Sequence, residues 1–362
     1  MLISACMIVK NEEQMLQKTL PNLIKLVDEV ILVDTGSSDK TIEIAKKLGA
    51  KVFTFPWIND FSAARNESLK HAQGEWIIWA DADEFIKEED MDKLKAQLAN
   101  SKEIGYLLKV AECHEDDFNI VSFNLRPKVF KNKIGIHFER PINEQPFTKD
   151  GEYLFSQAKA TDIPIYHWGG FLETEKLKQK KLRNIGLINK MIESGKGDVT
   201  YYFLLGLNYK DLKMYDESFK AYDEAIKIDI DGRFALAARE EKAWMYYSSK
   251  KAKEAYAEAL EALKIDKQSI TALNVVGGIL LALDKYNDAV ETLISAVNAP
   301  IKDDAVIVSP RQRDYVSRML LGQTYMKMGK YKEALESAKK ALQFDPTPEA
   351  IQLVKEAEEK LK

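Results

Sequence analysis

Two hydrophobic grammars follow one another along the chain. Up to about residue 170, short apolar runs alternate with amphipathic stretches. Residues 2–9 form a continuous apolar run, the pattern of a strand buried on both faces. Asn11 stands where a helix N-cap belongs, with Glu12 and Glu13 suited to the first turn. That helix should run to about Leu20 and end at Pro21. Residues 29–33 predict a second strand, 41–48 a helix stopped by Gly49, and 51–55 a third strand. A helix over 62–72 stopped by Gly74 and a strand over 76–80 follow. Residues 104–111 and 121–131 read as later strands, and 132–168 is less regular. This order predicts an α/β domain, a mostly parallel sheet with helices on both faces.

From about residue 173 the grammar becomes purely helical. Residues 176–192 form one amphipathic helix. A small residue then recurs at Gly206, Ala243, Gly277 and Gly322, each followed by a second helix rich in alanine. The spacings of 37, 34 and 45 match the 34-residue tetratricopeptide pattern of paired helices, with an insertion of about 11 residues at 303–313 containing Pro310. Residues 349–360 read as a polar capping helix, which a solenoid end requires. The expected organisation is the α/β domain over 1–170, a linker helix over 171–198 and repeats over 199–362.

Composition narrows the partners. Lys and Arg total 53 against 57 Asp and Glu, a net charge of −4, which excludes a broadly basic nucleic-acid binder. The two cysteines, Cys6 and Cys113, exclude a disulfide scaffold and a cysteine-rich zinc site. No export signal or membrane span is visible, so a cytoplasmic protein without an integral membrane segment is expected.

The chemistry concentrates where the fourth strand ends, at Asp81-Ala82-Asp83-Glu84. Ligands of open parallel sheets sit at the carboxyl ends of the strands. Two carboxylates there, facing one side of an extended segment, make a hard-oxygen site for Mg²⁺ or Mn²⁺ on a diphosphate. Asp34 ends the second strand at the same edge, and Arg65 opens a helix just before the fourth. The first loop, Lys10-Asn11-Glu12-Glu13, has neither the glycine fingerprint of a dinucleotide fold nor a P-loop. His71 and His114 read as incidental and His137 as structural. Trp57, Trp76, Trp79 and Trp168 read mostly as core, with Trp57 in a loop.

Residues 7–13, 33–41, Trp57 with 60–66, and 79–84 together resemble the family-two glycosyltransferases of GT-A fold. With its repeats the chain resembles their tetratricopeptide-containing branch, which includes the sublancin-type peptide S-glycosyltransferases. The resemblance implies an inverting transfer from a UDP-sugar, with a divalent metal (Mn²⁺ or Mg²⁺). It implies that Val9, Asn11, Glu12 and Asp34 hold the nucleoside, that Arg65 lies near the base, that Asp81 reaches the ribose and that Asp83 holds the metal. The branch reads His-Glu where this chain has Asn143-Glu144, so Glu144 is the expected base, with Glu84 the competitor. The branch's His-x-Gly segment matches His167 and Gly169, which makes His167 a second candidate metal ligand.

The repeats offer a groove for a peptide or protein acceptor, or a surface for homodimerisation. A glycolipid or cell-envelope oligosaccharide acceptor is the alternative. So is a non-catalytic adaptor that binds a nucleotide-sugar without turnover.

Overall fold

The computed structural model describes residues 2–113, 118, 120–168, 174–302, 306 and 309–362. His114, Gly169 and residues 303–305 and 307–308 of the expected insertion lie outside the described residues.

The first apolar run becomes β1 (Ile3–Val9), nearly all of it buried. It sits between β2 (Glu29–Asp34) and β4 (Trp76–Ala80), parallel to both, and β3 (Lys51–Thr54) extends the sheet beyond β2. Every residue of β4 is buried. Later strands complete the sheet: β5 (Glu84–Phe85), β6 (Gly105–Cys113), β7 (Ile120–Lys131) and β10 (Lys159–His167), in the order β3-β2-β1-β4-β7-β6-β10-β5. β7 runs antiparallel to both β4 and β6, and β5 antiparallel to β10. Six strands therefore point one way, and the ends of β2, β1, β4, β6 and β10 share one edge. A separate hairpin pairs β8 (His137–Glu139) with β9 (Gln145–Phe147).

Two local expectations are corrected. The helix α1 (Glu13–Leu26) does not stop at Pro21 but carries it inside. Leu16, Leu20, Leu23 and Leu26 bury one continuous face against the sheet, and that burial outweighs the hydrogen bond a proline cannot make. Asn11 is not the N-cap. Its backbone is left-handed, with φ 57°, and its Oδ1 accepts the Ser38 N–H at 2.8 Å. It ties the β1 loop to the turn after β2 instead of closing α1.

The remaining helices of this unit are α2 (Thr41–Leu48), α3 (Phe61–His71) and α4 (Glu88–Ala99). Asp60 caps α3, its Oδ1 accepting the Ala63 N–H at 3.0 Å. The chain divides into two compact units between Lys176 and Leu177.

Among its described residues the second unit is built of helices, without strands. After α5 (Thr174–Met191) come four helix pairs: α6 (Val199–Asp211) with α7 (Tyr215–Ile228), α8 (Arg233–Ser248) with α9 (Ala252–Ile265), α10 (Ile270–Ala282) with α11 (Tyr286–Asn298), and α12 (Arg318–Lys327) with α13 (Tyr331–Phe344). The helix α14 (Pro348–Leu361) packs on the last pair, capped by Thr347. The recurring small residues are where paired helices touch. A Cβ on Gly206 would lie 2.4 Å from the Tyr222 ring, so only glycine permits this approach. Tyr246 stacks on Phe219 at 4.4 Å, a packing role inside the repeats.

Glu240, on α8, accepts a hydrogen bond from Ser269 Oγ at 2.6 Å. Burial, helped by the neighbouring charges of Glu241 and Asp266, pushes its carboxyl from 4.5 up to about 7. A raised acid weakens the fold as pH climbs from its unfolded value through its folded one. Glu240→Gln, which keeps the acceptor, is therefore expected to stabilise this unit at pH 8 by about 1–2 kcal/mol after solvent screening. The gain should vanish below about pH 4.5. Thermal unfolding of both proteins across this range checks it; a pH-independent difference would contradict it.

Candidate active site

At the shared edge, Val9 and Asp34 are register partners on β1 and β2. The Val9 carbonyl accepts the Thr35 N–H at 2.9 Å, and the Asp34 carboxylate accepts the N–H groups of Gly36 and Ser37 at 2.9 and 3.0 Å. Gly36, at φ 106°, adopts the left-handed conformation this turn requires. The Glu12 N–H donates to Thr41 Oγ1 at 2.7 Å. Val9, Asn11, Glu12 and Asp34 thus stand together as two bolted loops.

The Asp-x-Asp segment is not extended. β4 ends at Ala80, and the Asp81 carbonyl accepts the Glu84 N–H at 3.2 Å, closing a turn. The expected alternation therefore does not operate, and the two aspartates meet different partners. Asp81 Oδ1 accepts from Arg65 Nη2 at 2.7 Å, and its Oδ2 lies 3.4 Å from Lys128 Nζ. Burial alone would raise this carboxyl, but Lys128 and Arg65 hold it well below the usual carboxylate range. Asp83 turns to His167, with 3.2 Å between Oδ2 and Nε2.

Arg65 also joins Asp81 to Glu144, donating from Nε to Glu144 Oε1 at 2.7 Å. α3 and the β8 hairpin set this geometry. Asn66 Nδ2 donates to the Phe138 carbonyl at 2.8 Å, and Asn66 Oδ1 accepts the Phe138 N–H at 2.7 Å. That double clamp fixes β8 on α3, and the loop leaving β8 delivers Glu144 over the guanidinium. Arg65 lies 4.3 Å above the Trp79 ring, and its Nη1 is buried without a partner.

Glu84 is placed differently from the competing base it was expected to be. Its side chain is 4% exposed, Oε1 takes Lys128 at 2.6 Å, and Oε2 takes both Lys128 and the Asp81 N–H. Burial pushes its carboxyl up despite the Lys128 ammonium.

His167 lies between two carboxylates, with Nδ1 2.9 Å from Glu112 Oε1 and Nε2 facing Asp83. Burial would lower its pKa, but hydrogen bonds to Asp83 and Glu112 raise it well above 6.5. His137 lies apart from this cluster, half exposed and paired with Glu139 at 3.0 Å. Trp57 is half-buried against Phe61.

Glu112 and Lys128 escaped the sequence reading. Lys128 is fully buried and lies 3.6 Å from the Trp79 ring centroid. A lysine beside the apolar pair Val129-Phe130 was a signal for it. Glu112 left none, because its position depends on β6 lying beside β10.

No group of three or more metal-ligating side chains is gathered among the described residues. The pair Asp83 and His167 nevertheless suits a divalent cation. Ligands at about 2.1 Å in an octahedron lie about 3 Å apart, close to the separation seen here. Among the described residues the carboxylates of Asp81, Asp83, Glu84, Glu112 and Glu144 gather around Arg65, Lys128 and His167. The Asp83 carboxylate oxygen with the His167 imidazole is a ligand set that such a cation accepts.

Among the described residues no helix is long and apolar enough to cross a membrane. The family model "Glycosyl transferase family 2" matches residues 4–154, and tetratricopeptide models match 199–229 and 316–348. A TPR repeat-containing protein of Synechococcus elongatus is 37% identical over 142 residues, 39% of this chain and 34% of that one. The SPbeta prophage-derived glycosyltransferase SunS of Bacillus subtilis is 26% identical over 223 residues, 61% of this chain and 51% of that one. The matches thus span about half or less of these two relatives. Staphylococcus aureus TarS (residues 1–349), solved with UDP-GlcNAc, covers 73% of this chain and 91% of its own at 15% identity, with a TM-score of 0.38. Residues 4–154 are a family 2 glycosyltransferase domain, and tetratricopeptide repeats follow it in the same chain.

Proposed function

We propose that the protein is an inverting glycosyltransferase that moves a sugar from a UDP-sugar to a peptide or protein acceptor recruited by its repeats. The observation that carries this reading is Arg65, which holds Asp81 and Glu144 together beside the Asp83–His167 pair. One arrangement supplies a donor side and a carboxylate for the acceptor side.

The acceptor O–H or S–H gives its proton to Glu144 as its oxygen or sulfur bonds to the anomeric carbon. The bond from that carbon to the diphosphate oxygen breaks, and UDP leaves with the electron pair. Arg65 occupies Glu144 Oε1, and Oε2 makes no hydrogen bond among the described residues, so it is available to take the proton. Glu84 has no comparable oxygen. Asp34 with the Asn11 loop forms the nucleoside edge, and Asp81 is held ionised for the ribose. A divalent cation, Mn²⁺ or Mg²⁺, held by Asp83 and His167 would offset charge developing on the diphosphate.

The first test is UDP release with Mn²⁺ across a panel of nucleotide sugars, without acceptor, beside Asp83→Asn. Slow hydrolysis of one donor, lost in the variant, is the expected result and names the sugar. Donor binding without release, persisting when hydroxyl, thiol and glycolipid acceptors are supplied, would establish the adaptor reading instead. A glycolipid accepted in preference to peptides would replace the acceptor class.

A further inference from the structure

We propose that Glu112 is a positioning residue that holds the His167 ring in the one tautomer and orientation able to bind a divalent cation. The inference rests on the reading that Asp83 and His167 hold that cation.

A neutral imidazole carries one ring proton, and only the nitrogen without it can ligate. His167 is offered two acceptors. Asp83 stands 3.2 Å from Nε2 and Glu112 stands 2.9 Å from Nδ1. Were the proton on Nε2, it would point at Asp83 and block the face on which the two would share an ion. With a carboxylate at each ring nitrogen, both carry protons while no cation is bound; a cation shared with Asp83 would take the place of the Nε2 proton, and Glu112 keeps the proton on Nδ1. A carboxylate behind a ligating histidine sets the tautomer and ring angle and raises ligand basicity.

The backbone is built for this contact. β6 and β10 are parallel neighbours, and His167 and Glu112 are direct register partners at their ends. On the other side His167 pairs with Glu84 of β5, and the Trp168 N–H donates to the Asp83 carbonyl at 2.9 Å. These bonds hold the His167 main chain and bring the Asp83 backbone to it. Rotation of the ring itself remains, and Glu112 restrains it. Asp83 cannot do so alone, because its oxygen faces the nitrogen the cation needs.

The test is Mn²⁺ binding by the full chain without sugar donor, read by the electron paramagnetic resonance signal of free Mn²⁺. Pulsed measurements of the bound ion report imidazole nitrogen. Glu112→Ala is expected to weaken Mn²⁺ binding about 10- to 100-fold and to diminish the nitrogen signal. Glu112→Gln keeps an acceptor for Nδ1–H and should stay within about threefold of the parent, a rescue that no loss of packing explains. Nitrogen NMR of labelled histidine in the parent protein with Mg²⁺ gives a readout independent of any Glu112 variant. His167, identified by its loss in His167→Gln, should carry its proton on Nδ1. A proton on Nε2 overturns the inference. So does unchanged Mn²⁺ affinity in Glu112→Ala where His167→Ala and Asp83→Asn both weaken it, and the metal reading then stands. Unchanged affinity in His167→Ala and Asp83→Asn would overturn both.

Discussion

Glu144→Gln is expected to lower turnover by about 10²–10⁴-fold while donor binding stays within about threefold. The substitution is nearly isosteric, and the amide oxygen still accepts from Arg65 Nε, so the link to Asp81 survives. What disappears is the second oxygen's capacity to take a proton. The effect should therefore fall on kcat and leave the calorimetric Kd for the donor alone, the signature of an interaction made only in the transition state. A hydroxyl acceptor must surrender a tightly held proton, whereas a thiol is partly ionised near neutral pH. The loss should accordingly be larger with serine peptides or water than with cysteine peptides. Near-normal UDP release to water in Glu144→Gln would remove Glu144 from the mechanism.

Lys128→Met should destabilise the sheet unit by about 3–5 kcal/mol, the usual cost of breaking a buried ion pair from one side. The ammonium meets Glu84 Oε1 at 2.6 Å and Oε2 at 2.9 Å, approaches Asp81 at 3.4 Å, and lies against Trp79. Without it, Glu84 becomes a buried charge beside the Asp81 carboxylate, with the Asp81 N–H and the more distant His167 left to favour its ionised form among the described residues. The double variant Lys128→Met with Glu84→Gln removes that stranded charge and should recover more than half of the loss. Denaturant unfolding read at the near-UV tryptophan signal, in a Trp244→Phe background that removes the one tryptophan of the helical unit, follows this unit, since Trp57, Trp76, Trp79 and Trp168 all belong to it. A single variant within about 1 kcal/mol of the parent, or a double variant no better than the single, would show that the pair contributes little.

The two predictions concern neighbouring parts of one charge network, and they separate its duties. Lys128 and Glu84 are sealed beneath the surface and act on stability and on the Asp81 environment. Arg65, itself buried, has the Trp79 ring on one face and Asp81 and Glu144 at its edges. Trp79, read as a core residue, is also the platform on which both cations rest.

Local patterns were enough to determine the alternation of strands and helices in the first half, the paired helices of the second, and the acids that end β2 and β4. These follow from side-chain periodicity and from glycine or proline punctuation, which neighbours along the chain decide. The same patterns failed at Pro21, where burial of a leucine face carried α1 past a breaker, and at Asp81–Asp83, where a turn replaced an extended strand. Only the tertiary structure decided strand order, and strand order decided the site. β10 lies in a region without a clear period, yet its pairing with β6 brings His167 to Glu112 across 55 residues of chain. A loop held by Asn66 brings Glu144 to Arg65 across 79. Contacts of that length leave no period in the sequence, because each depends on which strands the burial of the whole sheet makes neighbours.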